Sequence, residues 1–316
     1  MYEAFFGLSE RPFDLTPNPR YLLLTATHRE ALANLEYGIA AGTGLTLLTG
    51  DAGTGKTTLL RRVLSTRVGA SGGHCVYLNN PTLTRGEFYT FLTAEFGLGA
   101  EVAASKAHFL AALSLELRRR HLEGVQSILV LDEAQSLPDE LLEEVRLLAN
   151  IETDTTKLLP LVLAGQPELA DRLNRPGLRQ LKQRVALRCH ISPLTLPETA
   201  SYVAGRVRLA GGDAPSFIGR EAVVAFFEYS RGIPRTISVL ADNALMTAFA
   251  AGERQISAST VRTVARDFDL SSSSPQRLPA AGRLATGAPL SHVQWWRRSM
   301  RWPRPRLAVG HQEQPS

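Results

Sequence analysis

The sequence predicts an α/β protein: a three-layer sandwich around a five-stranded parallel sheet, followed by a small all-helical domain. Three observations support this prediction. Short apolar runs alternate with amphipathic stretches over the first 195 residues, which is typical of a parallel sheet covered by helices on both faces. A glycine-rich turn joins the first run to a helical stretch. From Pro193 to about residue 270, only helical periodicity is found.

Each predicted strand is a short apolar run between turn residues. The run at 128–131 is apolar throughout, as expected of a strand buried on both faces. The stretches between these runs place apolar side chains three or four residues apart, which indicates helices. The strands are predicted over residues 45–49, 75–78, 128–131, 159–164 and 185–191. The helices are predicted over residues 57–67, 86–96, 106–120, 139–151 and 168–173.

The predicted organisation has four parts. Residues 1–43 form an N-terminal segment that packs on the core and contains a helix over residues 28–41. Residues 44–195 form the α/β core, residues 196–270 the helical domain and residues 271–316 a basic tail. The tail is rich in serine, proline and arginine, so we expect it to be disordered. The later helices are predicted over residues 197–210, 220–229, 234–251 and 258–267.

Composition excludes several classes of protein. A hydrophobic fraction of 44% and a charged fraction of 21% are ordinary for a globular chain and exclude a wholly disordered one. No apolar run approaches the roughly 18 residues of a membrane-spanning helix, and the N-terminus does not have the pattern of a secretory signal. Two cysteines, Cys75 and Cys189, cannot build a disulfide framework and suit a reducing cytosol. We therefore expect a cytoplasmic protein.

The net charge of +5 is unevenly placed along the chain. Residues 271–316 contain seven arginines and one acid, Glu313, so that segment is +6 and residues 1–270 are −1. The nearly neutral body does not indicate an extended nucleic-acid-binding surface. Arginine interleaved with tryptophan in the tail suits an anionic membrane surface or single-stranded nucleic acid, and an unselected disordered end is the third interpretation. The tryptophans are Trp295, Trp296 and Trp302.

A glycine-rich loop follows the first predicted strand and precedes a predicted helix. Its sequence matches the pattern G-x-x-x-x-G-K-[ST] of a phosphate-binding loop. Glycines let backbone N–H groups turn toward phosphate oxygens, and the helix N-terminus adds partial positive charge. The lysine ammonium would bind the β- and γ-phosphates, and the following hydroxyl would bind Mg²⁺. The loop consists of Gly50, Asp51, Ala52, Gly53, Thr54, Gly55, Lys56, Thr57 and Thr58.

Two acids follow the third predicted strand, about 75 residues after the loop. The strand would deliver Asp132 to the sheet edge, where its carboxylate can hold Mg²⁺ directly or through water. Glu133 is then placed to polarise a water molecule for attack on the γ-phosphate. An isolated Asp-Glu pair is more often a solvated strand end. Beside a phosphate loop, the pair favours hydrolysis over binding alone.

These motifs resemble those of the AAA+ ATPases, which are P-loop NTPases. More closely, the chain resembles the ATPase domain of the general secretion pathway protein A family, with its relatives in pilus and exopolysaccharide loci. The resemblance covers roughly residues 1–270 and implies an AAA+ core with a helical lid, ATP as ligand and Mg²⁺ as cofactor. Besides the phosphate loop, the matching segments are residues 2–8, 11–13, 17–20, 132–135 and 164–169.

The resemblance implies three further roles. Gln166, just beyond the fourth strand, would sense the γ-phosphate; the alternative is a loop amide that caps local backbone. Arg184 would be an arginine finger that enters a neighbouring subunit's site and stabilises charge in phosphoryl transfer. Arg179 and Arg188 compete for that role, and a solvated basic face is the alternative. Arg235 would act as the second sensor and reach the phosphates from the helical domain, or would be an exposed first-turn arginine.

The expected function is an ATP-hydrolysing motor or switch that assists a cell-envelope secretion, pilus or exopolysaccharide export system. We expect self-association into a ring or higher oligomer, and an envelope-assembly partner. The tail would allow peripheral contact with the inner face of the cytoplasmic membrane. The family's longer members carry a membrane span and a peptidoglycan-binding module that this sequence lacks, so we expect a stand-alone form. The alternatives are a DNA-associated ATPase of the transposition-helper type and a non-hydrolysing, ATP-dependent scaffold.

Overall fold

The computed structural model describes residues 1–16, 19–79 and 82–270. The expectations for Pro17, Asn18 and the basic tail therefore lie outside the described residues. The described chain divides into two compact units, which we call the sheet unit and the helical unit. The sheet unit comprises Asp14–Leu194 and Ser230–Val239; the helical unit comprises Met1–Phe13, Thr195–Tyr229 and the residues from Leu240 onward.

The sheet unit is built on five strands. They are β1 (Leu45–Gly50), β2 (His74–Asn79), β3 (Ser127–Asp132), β4 (Leu161–Gly165) and β5 (Val185–Ile191). Their order across the sheet is β2-β3-β4-β1-β5, and each neighbouring pair is parallel. Strands β1, β3 and β4 are buried along their whole length, and β2 and β5 form the edges. The predicted five-stranded parallel sheet is confirmed.

Helices flank the strands and make up most of the helical unit. Across the described ranges, no helix combines the length and apolar character that crossing a bilayer requires. Short 3₁₀ turns lie at Pro19–Tyr21, Ala100–Ala104, Ala134–Ser136 and Pro176–Leu178. The helices are α1 (Tyr2–Phe5), α2 (Ala26–Ala40), α3 (Lys56–Ser71), α4 (Arg85–Phe96), α5 (Lys106–Leu122), α6 (Asp139–Leu148), α7 (Pro167–Leu173), α8 (Arg179–Arg184), α9 (Leu196–Leu209), α10 (Ala214–Phe217), α11 (Arg220–Ser230), α12 (Pro234–Ala250) and α13 (Ala258–Asp267).

The structure refines the predicted bounds where local chemistry decides them. Strand β4 begins at Leu161 instead of Leu159, because Pro160 has no N–H to donate to a neighbouring strand. The carbonyl of Pro160 still accepts a hydrogen bond from the N–H of Leu129 at 3.1 Å. Helices α1, α8 and α10 were missed by the sequence analysis. They have four, six and four residues, too few to show a helical period.

Alternate residues of the central strands pack into two apolar clusters on opposite faces of the sheet. Leu129 and Leu131 join a cluster with residues of α4, α5 and α6, whereas Ile128 and Val130 join one with residues of α2 and α3. This alternation follows from the two-residue period of a β-strand. Helices therefore cover both faces, and the predicted three-layer α/β sandwich is confirmed.

The N-terminal residues divide between the two units. Met1–Phe13 belongs to the helical unit by its contacts, and the chain from Asp14 onward belongs to the sheet unit. Phe13 is buried, with the guanidinium of Arg206 on α9 lying 5.9 Å from its ring centroid. Nε of Arg206 also donates to the carbonyl of Pro12 at 2.5 Å. The N-terminal segment predicted over residues 1–43 is therefore divided after Phe13, because these contacts hold the first part of the chain to α9.

A buried carboxylate links three helices on one face of the sheet. Glu144 of α6 is 3% exposed and accepts a hydrogen bond from the hydroxyl of Tyr89 on α4 at 2.6 Å. Its other oxygen pairs with the Lys106 ammonium of α5 at 2.8 Å. Burial, and then the hydrogen bond to Glu144, raise the pKa of Tyr89, so its hydroxyl remains a donor. The hydroxyl would lose a buried partner if the carboxylate were removed, which is costly.

We expect Glu144→Ala to lower the free energy of unfolding by about 2 kcal/mol, because the Tyr89 hydroxyl and the Lys106 ammonium both lose their acceptor. The matched control is Glu143→Ala on the same helix. The Glu143 side chain is 45% exposed and pairs with Arg146, and such surface pairs contribute less than about 1 kcal/mol. Urea denaturation followed by circular dichroism measures both. Equal losses for the two variants would contradict this account.

Candidate active site

The predicted phosphate loop connects the end of β1 to the start of α3. Gly55, the residue before the helix, has φ +105°, and Gly53 has φ +82°. A Cβ on Gly53 would lie 2.7 Å from the Cβ of Arg235, so glycine is required there for space as well as for backbone conformation. The first N–H groups of α3 have no acceptor within the helix, which makes this end of it suited to an anion.

Lys56 is buried at the first position of α3, with 4% of its surface exposed. Its ammonium donates to the carbonyl oxygens of Gly50 at 2.7 Å and Asp51 at 3.0 Å. Burial lowers the pKa of Lys56, and the carboxylates of Glu133 and Asp132 counteract that effect. The ammonium thus lies inside the loop, where oxygens of a bound phosphate could replace the two carbonyls as acceptors.

Asp132 lies at the end of β3 and is fully buried. One carboxylate oxygen accepts hydrogen bonds from the Thr57 hydroxyl at 2.7 Å and the Tyr77 hydroxyl at 2.6 Å. The other accepts from the backbone N–H of Glu133 at 2.9 Å. Burial, and then the bond to Asp132, raise the pKa of Tyr77. A hydroxyl and a carboxylate at this distance fit the oxygen donors that Mg²⁺ prefers when phosphates complete its coordination.

Glu133 adopts a strained backbone directly after the buried aspartate. Its φ is +55°, and within the described ranges Arg231 and Asp269 are the other non-glycine residues with positive φ. Such conformations are costly for L-residues and concentrate at functional sites. The Glu133 carboxylate accepts a hydrogen bond from the side-chain amide of Gln135 at 2.6 Å. Both the backbone and the carboxylate of this residue are therefore held in place.

The structure brings two further predicted residues close to these groups. Gln166 follows β4 at the N-terminus of α7, and its backbone N–H donates to the side-chain oxygen of Gln135 at 3.1 Å. Its side chain makes no capping hydrogen bond to α7. Arg235, near the start of α12, lies in the sheet unit. Its N–H donates to the carbonyl of Gly53 at 3.2 Å, and its side chain is exposed.

Arg184 does not join this group. The parallel register pairs Leu45 with Val185 at one end of β1 and Gly50 with Ile191 at the other. Arg184, the last residue of α8, is therefore at the end of the sheet opposite the phosphate loop. The two ends of β1, Leu45 and Gly50, are five residue steps apart along the strand, or about 17 Å. Its side chain is exposed. The competing arginines, Arg179 and Arg188, are also exposed.

The chain is similar to known proteins in sequence and in fold. Residues 40–173 match the family model described as an AAA domain. The chain is 39% identical over 303 residues to general secretion pathway protein A of Aeromonas hydrophila. The chain therefore contains an AAA domain. The alignment covers 94% of this chain and 54% of that relative, so the chain spans about half the relative's length.

Solved structures of Cdc6 and ORC proteins show the same fold. Cdc6p from Pyrobaculum aerophilum has a TM-score of 0.63 at 19% identity, over 81% of this chain and 70% of that one. The ORC2 protein of Aeropyrum pernix has a TM-score of 0.61 at 20% identity, over 82% and 72%. Drosophila ORC bound to DNA has a TM-score of 0.59 at 18% identity, over 83% and 67%. At these identities the likeness establishes the fold alone.

Three residues of this AAA+ site were missed by the sequence analysis. Buried His28 of α2 contacts the Thr25 hydroxyl through Nδ1 at 2.7 Å and the Thr54 carbonyl through Nε2 at 3.1 Å. Folding alone brings Tyr77 and His28 to the site. Their positions in the sequence relative to the phosphate loop and the Asp-Glu pair do not indicate a role there. Gln135 could have been noticed, because it stands two residues after Glu133 in the sequence.

We expect His28→Ala to weaken nucleotide binding about 5- to 10-fold. The Thr54 carbonyl loses a buried hydrogen bond, worth about 1 kcal/mol, and the phosphate loop becomes less ordered before the ligand binds. Titration with a fluorescent nucleotide analogue measures the dissociation constant. His121→Ala, an exposed position on α5, is the control and should leave it unchanged. Unaltered affinity in a folded His28→Ala protein would rule out this role for His28.

Proposed function

We propose that this chain binds ATP with Mg²⁺ and hydrolyses it, as a motor or switch that assists a cell-envelope secretion, pilus or exopolysaccharide export system. The observation that carries the proposal is the placement of Glu133 beside the buried Asp132–Thr57 pair at the phosphate loop. The secretion assignment is supported by the 39% identity to general secretion pathway protein A. ATP binding alone would need no glutamate held in a strained conformation next to the metal-binding pair.

Each residue of the site has its own role in the proposed hydrolysis. Lys56 and the first N–H groups of α3 would bind the β- and γ-phosphate oxygens. Thr57 and Asp132 would hold Mg²⁺, which neutralises phosphate charge when bound. Glu133 would orient the attacking water and accept its proton as the bond to the γ-phosphorus forms and the bond to the bridging oxygen breaks. Gln166 and Arg235 would sense the γ-phosphate from the end of β4 and the start of α12.

Self-association is part of the proposal because Arg184 is remote from its own phosphate loop. An exposed arginine about 17 Å away along the sheet cannot contact a nucleotide bound there, but it can reach one bound to another copy. Arginine charge supplied in this way stabilises the transition state of phosphoryl transfer. Turnover would then depend on an assembled ring or higher oligomer. We propose a cytoplasmic site of action, with an envelope-assembly protein as partner.

Replacing the proposed general base separates hydrolysis from binding. We expect Glu133→Gln to bind nucleotide as the wild type does and to lose at least about 100-fold in turnover, since amides do not accept the proton. Phosphate release and nucleotide titration are the measurements. Glu143→Gln, an exposed change on α6, is the control. Binding without turnover in the wild-type protein under all conditions would contradict hydrolysis and favour the scaffold alternative.

A mixing experiment tests whether Arg184 acts between chains. We expect Arg184→Ala and Glu133→Gln each to be inactive alone. Together they should recover part of the turnover, because an Arg184→Ala chain keeps Glu133 and can receive Arg184 from its neighbour. Arg179→Ala and Arg188→Ala, mixed in the same way, identify which arginine acts. No recovery from any mixture would exclude an arginine shared between copies.

Measuring the turnover of the wild-type protein with added DNA tests the DNA-associated alternative, and measuring it with added anionic vesicles tests the membrane contact.

A further inference from the structure

The side chain of Gln135 joins two strand ends of the site. It lies in the 3₁₀ turn directly after β3, where its Nε2 donates to Glu133 Oε2 at 2.6 Å. Its Oε1 accepts from the backbone N–H of Gln166, at the end of β4, at 3.1 Å. One amide thus connects the proposed general base to the segment that would sense the γ-phosphate.

The hydrogen bonds at both ends specify the same orientation of the Gln135 amide. Turned the other way, its NH₂ group would face the N–H of Gln166, and its oxygen would face the Glu133 carboxylate. Each of those contacts pairs two donors or two acceptors and forms no hydrogen bond. The orientation is therefore determined by the partners, and the amide transmits a geometric constraint from one to the other.

The surroundings leave room for this amide and hold its backbone. A Cβ on Gly165, the last residue of β4, would lie 2.7 Å from Oε1 of Gln135, so the side chain occupies space that only glycine leaves free. Arg172 of α7 donates from Nη1 to the carbonyl of Gln135 at 2.7 Å and forms an ion pair with Asp139. Gln135 is thus held through both its main chain and its side chain.

We propose that Gln135 is a positioning residue that makes the placement of the Glu133 carboxylate depend on the end of β4. The inference rests on the proposed hydrolysis. The backbone of Glu133 is held at φ +55°, but its carboxylate still turns about three side-chain bonds. The hydrogen bond from Gln135 restricts that rotation, and a general base must stay within hydrogen-bonding distance of its water. A movement of the Gln166 N–H would shift the amide and the carboxylate with it.

Two substitutions at Gln135 separate positioning from packing. Gln135→Met keeps the length of the side chain and removes both hydrogen bonds; kcat should fall about 10- to 100-fold, the cost of misplacing a catalytic group by about 1 Å. Gln135→Glu has the same shape and keeps an acceptor for Gln166, but it offers Glu133 no donor. A packing role would be rescued by this variant, whereas a positioning role would not. The nucleotide dissociation constant should stay within about twofold of the wild-type value in both.

The matched control is Gln126→Met, which removes a side-chain amide that donates to the carbonyl of Ile39 at 2.5 Å. Gln126 precedes β3, so it lies at the end of that strand opposite Gln135. We expect kcat to remain at the wild-type value in this variant. Urea denaturation of both methionine variants verifies that a general loss of stability does not explain the difference.

A second pair of variants tests the link to β4. Gly165→Ala should displace the amide and lower kcat in the wild-type background, because its Cβ would lie 2.7 Å from Oε1 of Gln135 and 2.9 Å from Cδ2 of Leu169. In a Gln135→Ala background that oxygen is gone and the remaining close side-chain contact is with the end of Leu169, which can turn away, so the same change should cost less than about twofold in kcat. Full additivity of the two losses would show that Gly165 acts independently of Gln135 and would overturn the coupling.

The results also distinguish this inference from the function on which it rests. A wild-type protein without turnover would overturn the proposed hydrolysis and the inference with it. Wild-type turnover that Gln135→Met leaves within twofold, or raises, would overturn the inference alone. So would a loss of nucleotide affinity as large as the loss of kcat. A fall in kcat with affinity retained, and no rescue by Gln135→Glu, is the expected result.

Discussion

The buried carboxylate of Asp132 is the interaction on which the arrangement of this site depends. It is fully buried, so its charge is tolerable only because three donors hold it: the Thr57 hydroxyl, the Tyr77 hydroxyl and the N–H of Glu133. These donors come from α3, β2 and the turn after β3. One carboxylate therefore fixes the start of the helix that follows the phosphate loop relative to the glutamate that follows the strand.

The parallel direction of the strands explains why the remaining parts converge. Because all five strands run in the same direction, the residues that follow β1, β3 and β4 lie together at the carboxyl ends of the strands. The phosphate loop, Glu133 and Gln166 are neighbours there although the chain separates them widely. The same register places Arg184 at the opposite, amino-terminal ends of the strands. In a parallel sheet, strand direction and register therefore decide which polar residues lie near the site, whatever the chemistry of their side chains.

Most of the fold can be predicted from the sequence because the main signals are local. Apolar runs bounded by turn residues located all five strands, and the error at β4 came from one residue, Pro160, whose missing N–H delays the pairing. Four- to six-residue helices such as α1 and α8 are too short to carry a period. The division of the N-terminal segment near Phe13 was also beyond prediction, because it depends on contacts with Arg206, far away in sequence.

The sequence by itself determined the chemistry of the loop and of the Asp-Glu pair, because each depends on neighbouring residues whose order can be read directly. Folding alone decided which other side chains complete the site. His28 meets the Thr54 carbonyl across 26 residues and Tyr77 meets Asp132 across 55. Hydrogen bonds of this kind require atoms within about 3 Å in the right orientation. No periodicity or spacing encodes such a distance; the packing of helices on a twisted sheet sets it.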